Sequence, residues 1–127
     1  MRSPPERRAH RGAVAERRGR AAEAVAAEAL RAEGWVVLDS RARTGAGEID
    51  LVAERAGLLA FIEVKARPSL REAAYALTPR QQARLVAAAE AWLAAHPGHG
   101  DAGVRFDVII VAADGTARRI ADAFRLV

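Results

Sequence analysis

The sequence predicts a single α/β domain, a mixed β-sheet flanked by helices in the order α-β-β-β-α-β-β. Three stretches carry that expectation. An alanine-rich run ahead of Gly34 has high helix propensity. Residues 48–65 gather apolar and β-branched side chains, Ile49, Leu51, Leu59, Phe61, Ile62 and Val64, on either side of Ala56-Gly57, as two buried strands folded back on each other do. Thr78-Pro79-Arg80-Gln81 then reads as a capped helix start, and an apolar strand follows at 105–111.

Taken in order, residues 1–12 contain Pro4-Pro5 and scattered arginines without periodicity, and read as a flexible arm. Residues 13–127 form the domain. Its first helix runs from Ala13 to Glu33 and stops at Gly34. Trp35 to Leu38 makes the first strand, and Asp39 to Gly47 a polar connection. After the two central strands, Arg67 to Leu77 with Pro68 forms a loop beside them. The second helix presents Leu85, Val86, Ala89, Trp92 and Leu93 on one face and ends at His96-Pro97-Gly98. Arg105 to Val111 is a buried strand, and Asp114-Gly115 turns it into a last strand through Ile120.

Composition narrows the function. At 127 residues the chain has room for one core. With 51% hydrophobic residues it is not wholly disordered. No apolar run approaches a membrane span and no hydrophobic signal region is present, so a cytoplasmic protein that avoids membranes is expected. The absence of cysteine removes disulfides and thiolate metal sites. The first twenty residues hold seven arginines against Glu6 and Glu16, whereas the rest of the chain is nearly neutral. Basicity therefore belongs to the leader, where a phosphate-tracking role stands beside that of a plain unstructured terminus. Only one of the 20 basic residues is lysine, Lys65, at the centre of the constellation that follows.

If the turn at Ala56-Gly57 holds an even number of residues, Asp50 lies opposite Glu63 and Glu48 opposite Lys65. Directly opposed residues have Cβ atoms roughly 4.5–5.5 Å apart. Glu48, Asp50 and Val52 would share a face, as would Phe61, Glu63, Lys65 and Arg67. Two carboxylates that close repel unless a cation lies between them or one holds a proton. Oxygen ligands at this spacing suit Mg²⁺ or Mn²⁺. Lys65, on the same face, can orient a nucleophile and stabilise charge developing on phosphate. The bland reading is a solvated, salt-bridged hairpin face.

Asp50, a twelve-residue gap and Glu63-Val64-Lys65 resemble the Asp…Glu-x-Lys signature of restriction-endonuclease-like nucleases. Gly47-Glu-Ile-Asp-Leu51, Phe61-Ile-Glu-Val-Lys-Ala-Arg67 and Arg105-Phe-Asp-Val108 together resemble the YraN-type family of small bacterial proteins, UPF0102. The resemblance spans about residue 18 to the C-terminus. It implies a restriction-endonuclease-like core and, through likeness to archaeal Holliday junction resolvases, a Mg²⁺- or Mn²⁺-dependent endonuclease acting on DNA, branched DNA included. Asp50, Glu63 and Lys65 would be catalytic, and Asp50, Glu63, Glu48 and Glu23 would surround the metal. A resolvase-like activity would favour a homodimer, because a junction offers two symmetric cuts. A non-catalytic nucleic-acid-binding module on the same fold is the alternative.

The remaining residues have two readings each. Glu23 has small or apolar helical neighbours, so it either marks the edge of the apolar stripe or points into the site; the family's Gly-x-x-x-Glu matches Gly19…Glu23. Arg41, Arg43, Arg67 and Arg80 are candidate phosphate contacts, with DNA a better partner than RNA, although a solvated loop is the simpler account of Arg41 and Arg43. Gln81 reads as a cap. His96, His99 and Asp101 lack the second ligand pair of a metal site. Asp107 is expected to pair with Arg105 or Arg67.

Overall fold

The structure, a computed structural model, describes the backbone of residues 5–71 and 77–124, with side chains from residue 19 onward. It contains α1 (Pro5–Ala32), β1 (Val36–Thr44), β2 (Gly47–Arg55), β3 (Leu58–Arg67), α2 (Pro79–Ala95), β4 (Gly103–Ala112) and β5 (Ala117–Ile120). The element order and the mixed sheet are those the sequence predicts. The five strands lie side by side in chain order, antiparallel except for the β3–β4 pair. A parallel pair needs a crossover connection, and α2 supplies it.

Side chains alternate across the sheet, so its strands feed two cores. Leu51, Ala53, Ala60, Ile62, Ile109 and Val111 pack with Ala22, Ala26, Ala27 and Leu30 of α1. Val52, Leu59 and Phe61 pack with Leu85, Ala88, Ala89 and Trp92 of α2. Phe61 meets Trp92 edge-on at 5.7 Å and Phe106 at 6.0 Å. The alanines of α1 let the helix approach the sheet closely, and Gly34, at a φ of 87°, turns the chain out of it. Trp35 follows and is buried beneath the guanidinium groups of Arg55, Arg105 and Arg119, 4.9, 5.4 and 5.4 Å from its ring.

Two boundaries differ from expectation. α1 begins at Pro5 and not at Ala13, while residues 1–4 of the expected arm lie outside the described residues. The expected polar connection 39–47 is largely strand: β1 continues to Thr44 and returns through Gly45-Ala46, with Thr44 paired to Gly47 and Arg43 to Glu48. Thr44 closes this turn, its hydroxyl donating to Gly47 O at 2.7 Å and accepting from Ala46 N–H at 3.1 Å. Pairing with β2 overrides the polar composition of the segment. The loop expected over Arg67 to Leu77 includes residues 72–76, which are not described.

The second helix starts as expected. Thr78 Oγ1 accepts from Gln81 N–H at 3.2 Å, and the Gln81 side chain accepts from Thr78 N–H at 2.9 Å, a complete capping box. His96 and His99 serve packing: His96 stacks on Trp92 at 4.1 Å, and His99 Nδ1 lies 3.2 Å from Glu54 Oε1. Asp107, fully buried, accepts two hydrogen bonds of 2.8 Å from Arg105 and a third from Asp122 N–H. Of the two partners expected for it, the structure selects Arg105. Replacing Asp107 with Ala strands that guanidinium and is expected to cost about 3 kcal/mol or more, measured by urea unfolding.

Candidate functional site

The site grows out of the β2–β3 hairpin. Ala56 and Gly57 turn the chain with φ of 50° and 78°, the geometry of a two-residue hairpin loop. The ladder runs from Arg55↔Leu58 to Leu51↔Ile62, the register from which the sequence places Asp50 opposite Glu63. Regular pairing stops there. One residue on, Asp50 Oδ2 accepts from the Val64 amide at 2.8 Å, so a side chain bridges the strands where the backbone ladder ends. The expected pairing of Glu48 with Lys65 is not formed; Glu48 turns to arginines of β1 instead.

Strict alternation also breaks. Ile49 and Val52, three residues apart, pack into the α2-side core, while Leu51 packs into the α1-side core. Ile49 and Leu51, two residues apart and so expected on one face, are parted. Beside this break, the β1–β2 ladder passes in constant register from Ser40↔Leu51 to Ala42↔Ile49 with the Arg41–Asp50 pair left out and Arg41 at a φ of 51°, while the shift of register lies earlier, between Val37 and Asp39. A strand that loses pairing at one residue can re-aim the next.

Asp50, Glu63 and Lys65 come together. Lys65 Nζ lies 3.4 Å from Glu63 Oε1, with both side chains largely shielded from solvent. Burial pushes both carboxyls above the ordinary range. The charge of Asp50 adds to the rise of Glu63, and the Lys65 ammonium opposes both shifts. At Asp50 the Val64 amide is the larger opposing influence. The two carboxyls act directly on each other. Such a pair accommodates its repulsion with a shared proton or with a cation.

The pair opens into a cleft of about 300 Å³ lined by Gly47, Glu48, Asp50, Glu63, Gln81, Arg84 and Leu85. The N-terminus of α2 forms its far wall, an arrangement favourable to anions. Of the arginines that the sequence clusters at this helix end, Arg84 lines the cleft, whereas Arg80, the one favoured as a phosphate contact, does not. A Cβ placed on Gly47 would meet Arg84 Cγ at 3.5 Å, so this side chain lies against the end of the β1–β2 turn. Its spacing was a signal: Gln81 and Arg84 flank buried Leu85 on the helix face turned to the sheet.

The other expected site residues scatter. Glu23 Oε2 and Glu48 Oε1 lie 3.5 and 3.6 Å from Arg41 Nε. Burial raises the Glu23 carboxyl, as does the charge of Asp50, and Arg41 opposes the rise. Arg43 is almost fully exposed, with Nε 3.9 Å from Glu48 Oε2. Arg67 lies away from the carboxylates, lining a hollow with Ala22, Val25, Pro68 and Val111. Arg80 is exposed and does not line the cleft.

Among the described residues, no three His, Cys, Asp or Glu side chains are set to hold a metal ion together. Asp50 and Glu63 remain a fit for Mg²⁺ or Mn²⁺, hard ions that bind through one or two carboxylates and keep several waters. The raised carboxyls give a signed expectation. The folded state holds their protons more tightly than the unfolded chain, so the contribution of these two groups to the stability of the metal-free fold is fully present below the ordinary carboxylate pKa. That contribution is lost as pH rises through the raised folded values. Asp50→Asn keeps an acceptor for Val64 N–H and removes one charge, and should raise Tm at neutral pH by a few degrees. Thermal melts from pH 3 to 8 in EDTA check both statements.

Comparison with known proteins agrees with the resemblance in sequence. The family model described as uncharacterised protein family UPF0102 matches residues 22–111. A UPF0102 protein of Granulibacter bethesdensis is 60% identical over 116 residues, covering 91% of this chain and 73% of the relative. One from Bradyrhizobium is 55% identical, covering 85% and 77%, and one from Rhodopseudomonas palustris is 53% identical, covering 85% and 83%. The matched segment contains every carboxylate of the cleft, Arg41, Lys65 and Arg84. The chain belongs to the uncharacterised protein family UPF0102.

Proposed function

We propose that this protein is a Mg²⁺- or Mn²⁺-dependent endonuclease that hydrolyses phosphodiester bonds in DNA. The observation that carries the reading is the half-buried carboxylate pair Asp50 and Glu63, with Lys65 beside Glu63, in a cleft walled by a helix N-terminus. A hairpin selected for stability alone gains nothing from two carboxylates held above their ordinary pKa.

The roles follow from position. Asp50 and Glu63 would hold the ion, which when bound polarises a phosphate oxygen and acidifies a water. Lys65, with Nζ 3.4 Å from Glu63 Oε1, would orient the nucleophile and counter charge that develops on the phosphate. Arg84 and the start of α2 hold the neighbouring backbone phosphate at the mouth of the cleft. The arginines of the first twenty residues add sequence-independent, salt-sensitive attraction to the duplex. Branched DNA in repair or recombination is the substrate class this reading favours, cut by a homodimer in the cytoplasm. Among the described residues no helix is long and apolar enough to cross a membrane.

One observation favours a second reading, a nucleic-acid-binding module without catalysis. Beyond residue 20 the chain is nearly neutral, so the domain offers little charge of its own to a polyanion.

Cleavage of a labelled panel of duplexes, flaps and four-way junctions, in Mn²⁺ and in EDTA, separates the two. Metal-dependent cutting is expected, reduced about 100-fold or more by Lys65→Ala and abolished by Asp50→Ala, with native circular dichroism in both variants. Binding without cutting, unaffected by either substitution, would assign the protein to the second reading. Arg84→Ala is expected to raise KM more than it lowers kcat, the mark of a contact made before the transition state.

A further inference from the structure

Arg41 stands where a second metal ion would be looked for. Its Nε lies 3.5 Å from Glu23 Oε2 on α1 and 3.6 Å from Glu48 Oε1 on β2. Both acids act electrostatically within the same cluster: the charge of Asp50 bears on Glu23, and that of Glu48 on Asp50. The Glu23 side chain is 15% exposed, so its charge is poorly served by water. One guanidinium is thus shared between carboxylates from two elements, next to the pair assigned to the metal. The backbone departs from regular structure at the same residue. Arg41 has a left-handed φ of 51°, and the β1–β2 ladder skips it.

Resting on the nuclease reading above, we propose that Arg41 is the resident cation of the Glu23–Glu48 position, so that the site accepts one divalent ion and not two. A guanidinium is permanently charged and has only N–H donors. It neutralises the two acids and fixes them in place, but it holds no exchangeable water and acidifies none. Two-metal phosphodiesterases hold their ions about 3.5–4 Å apart, each clamping a reacting oxygen. With Arg41 in the second position, all water activation falls on the ion at Asp50 and Glu63, and charge at the other side of the phosphate must be met by fixed side chains. Arg41 also changes role from the phosphate contact its sequence context suggests. Two carboxylates already engage its charge, whereas Arg84 borders the cleft without a salt bridge to a carboxylate among the described residues.

The test counts ions and does not depend on turnover. Mn²⁺ is titrated into the full chain and free ion followed by electron paramagnetic resonance, for wild type, Arg41→Met and Arg41→Lys, with circular dichroism reporting the fold. The expected stoichiometry is one ion for wild type, two for Arg41→Met and one for Arg41→Lys, where an ammonium still fills the position. One ion in a natively folded Arg41→Met, or two in wild type, would overturn the proposal while leaving the metal site at Asp50 and Glu63 intact. No ion in wild type would overturn the nuclease reading and this inference with it. Should Arg41→Met not fold, the double variant Glu23→Gln/Glu48→Gln decides: it is expected to keep the single ion, and loss of that ion would show that these acids hold metal in the native protein.

Discussion

Where β2 and β3 part beyond Leu51 and Ile62, the amide of Val64 donates to the Asp50 carboxylate. Much of the candidate site depends on that 2.8 Å bond. β3 is shared between an antiparallel neighbour on one side and a parallel one on the other, and its pairing with β4 continues to Arg67. β2 meanwhile follows β1 towards their own turn. The strands diverge, and a short acidic side chain spans the opening. This draws Asp50 out of the solvent, brings it against Glu63 and leaves Lys65 as the nearest compensating charge.

The acids of this protein fall into two electrostatic kinds. Asp107 and Glu54 are satisfied: the first takes a bidentate arginine and an amide, the second the Gly100 amide, which holds its carboxyl below the ordinary range, and His99. Their work is to join strands and loops. Asp50, Glu63 and Glu23 are held above the ordinary range, because burial and neighbouring carboxylates outweigh the cations provided. Clustered carboxylates left short of positive charge are the pattern in which functional sites differ from structural ion pairs. The deficit is also divided, with Lys65 serving Asp50 and Glu63, and Arg41 serving Glu23 and Glu48.

The two helices define the edges of this arrangement in different ways. α1 is a close-packed cover of alanines that carries one acid, Glu23, to the rim of the sheet. α2 is anchored by Trp92 on Phe61, and its Nε1–H donates to Asp39 at 3.1 Å. That anchor presents the capped N-terminus of α2, with Gln81 and Arg84, to the cleft. The cleft therefore sets the Arg84 guanidinium and the positive end of the α2 dipole across from the Asp50–Glu63 carboxylates.

Local chemistry made much of this legible in the residues themselves. The apolar runs on either side of Ala56-Gly57, given a two-residue turn there, indicated the register that the ladder keeps from Arg55↔Leu58 to Leu51↔Ile62 and that aligns Asp50 with Glu63. Thr78, Pro79 and Gln81 determined the start of α2 through hydrogen bonds confined to one turn. What depended on contacts distant in sequence was decided only by the tertiary structure. The break in alternation over 49–52 falls where the β1–β2 ladder leaves out Arg41 and Asp50, and the strand character of Arg41 to Thr44 required β2 as a partner. Glu23 met Arg41 only once α1 lay on the sheet, Arg67 parted from the carboxylates, and Arg84 approached Gly47 across the β3–α2 connection. Spacing along the chain specifies which groups share a turn or a strand face; packing of separate elements specifies which charges become neighbours.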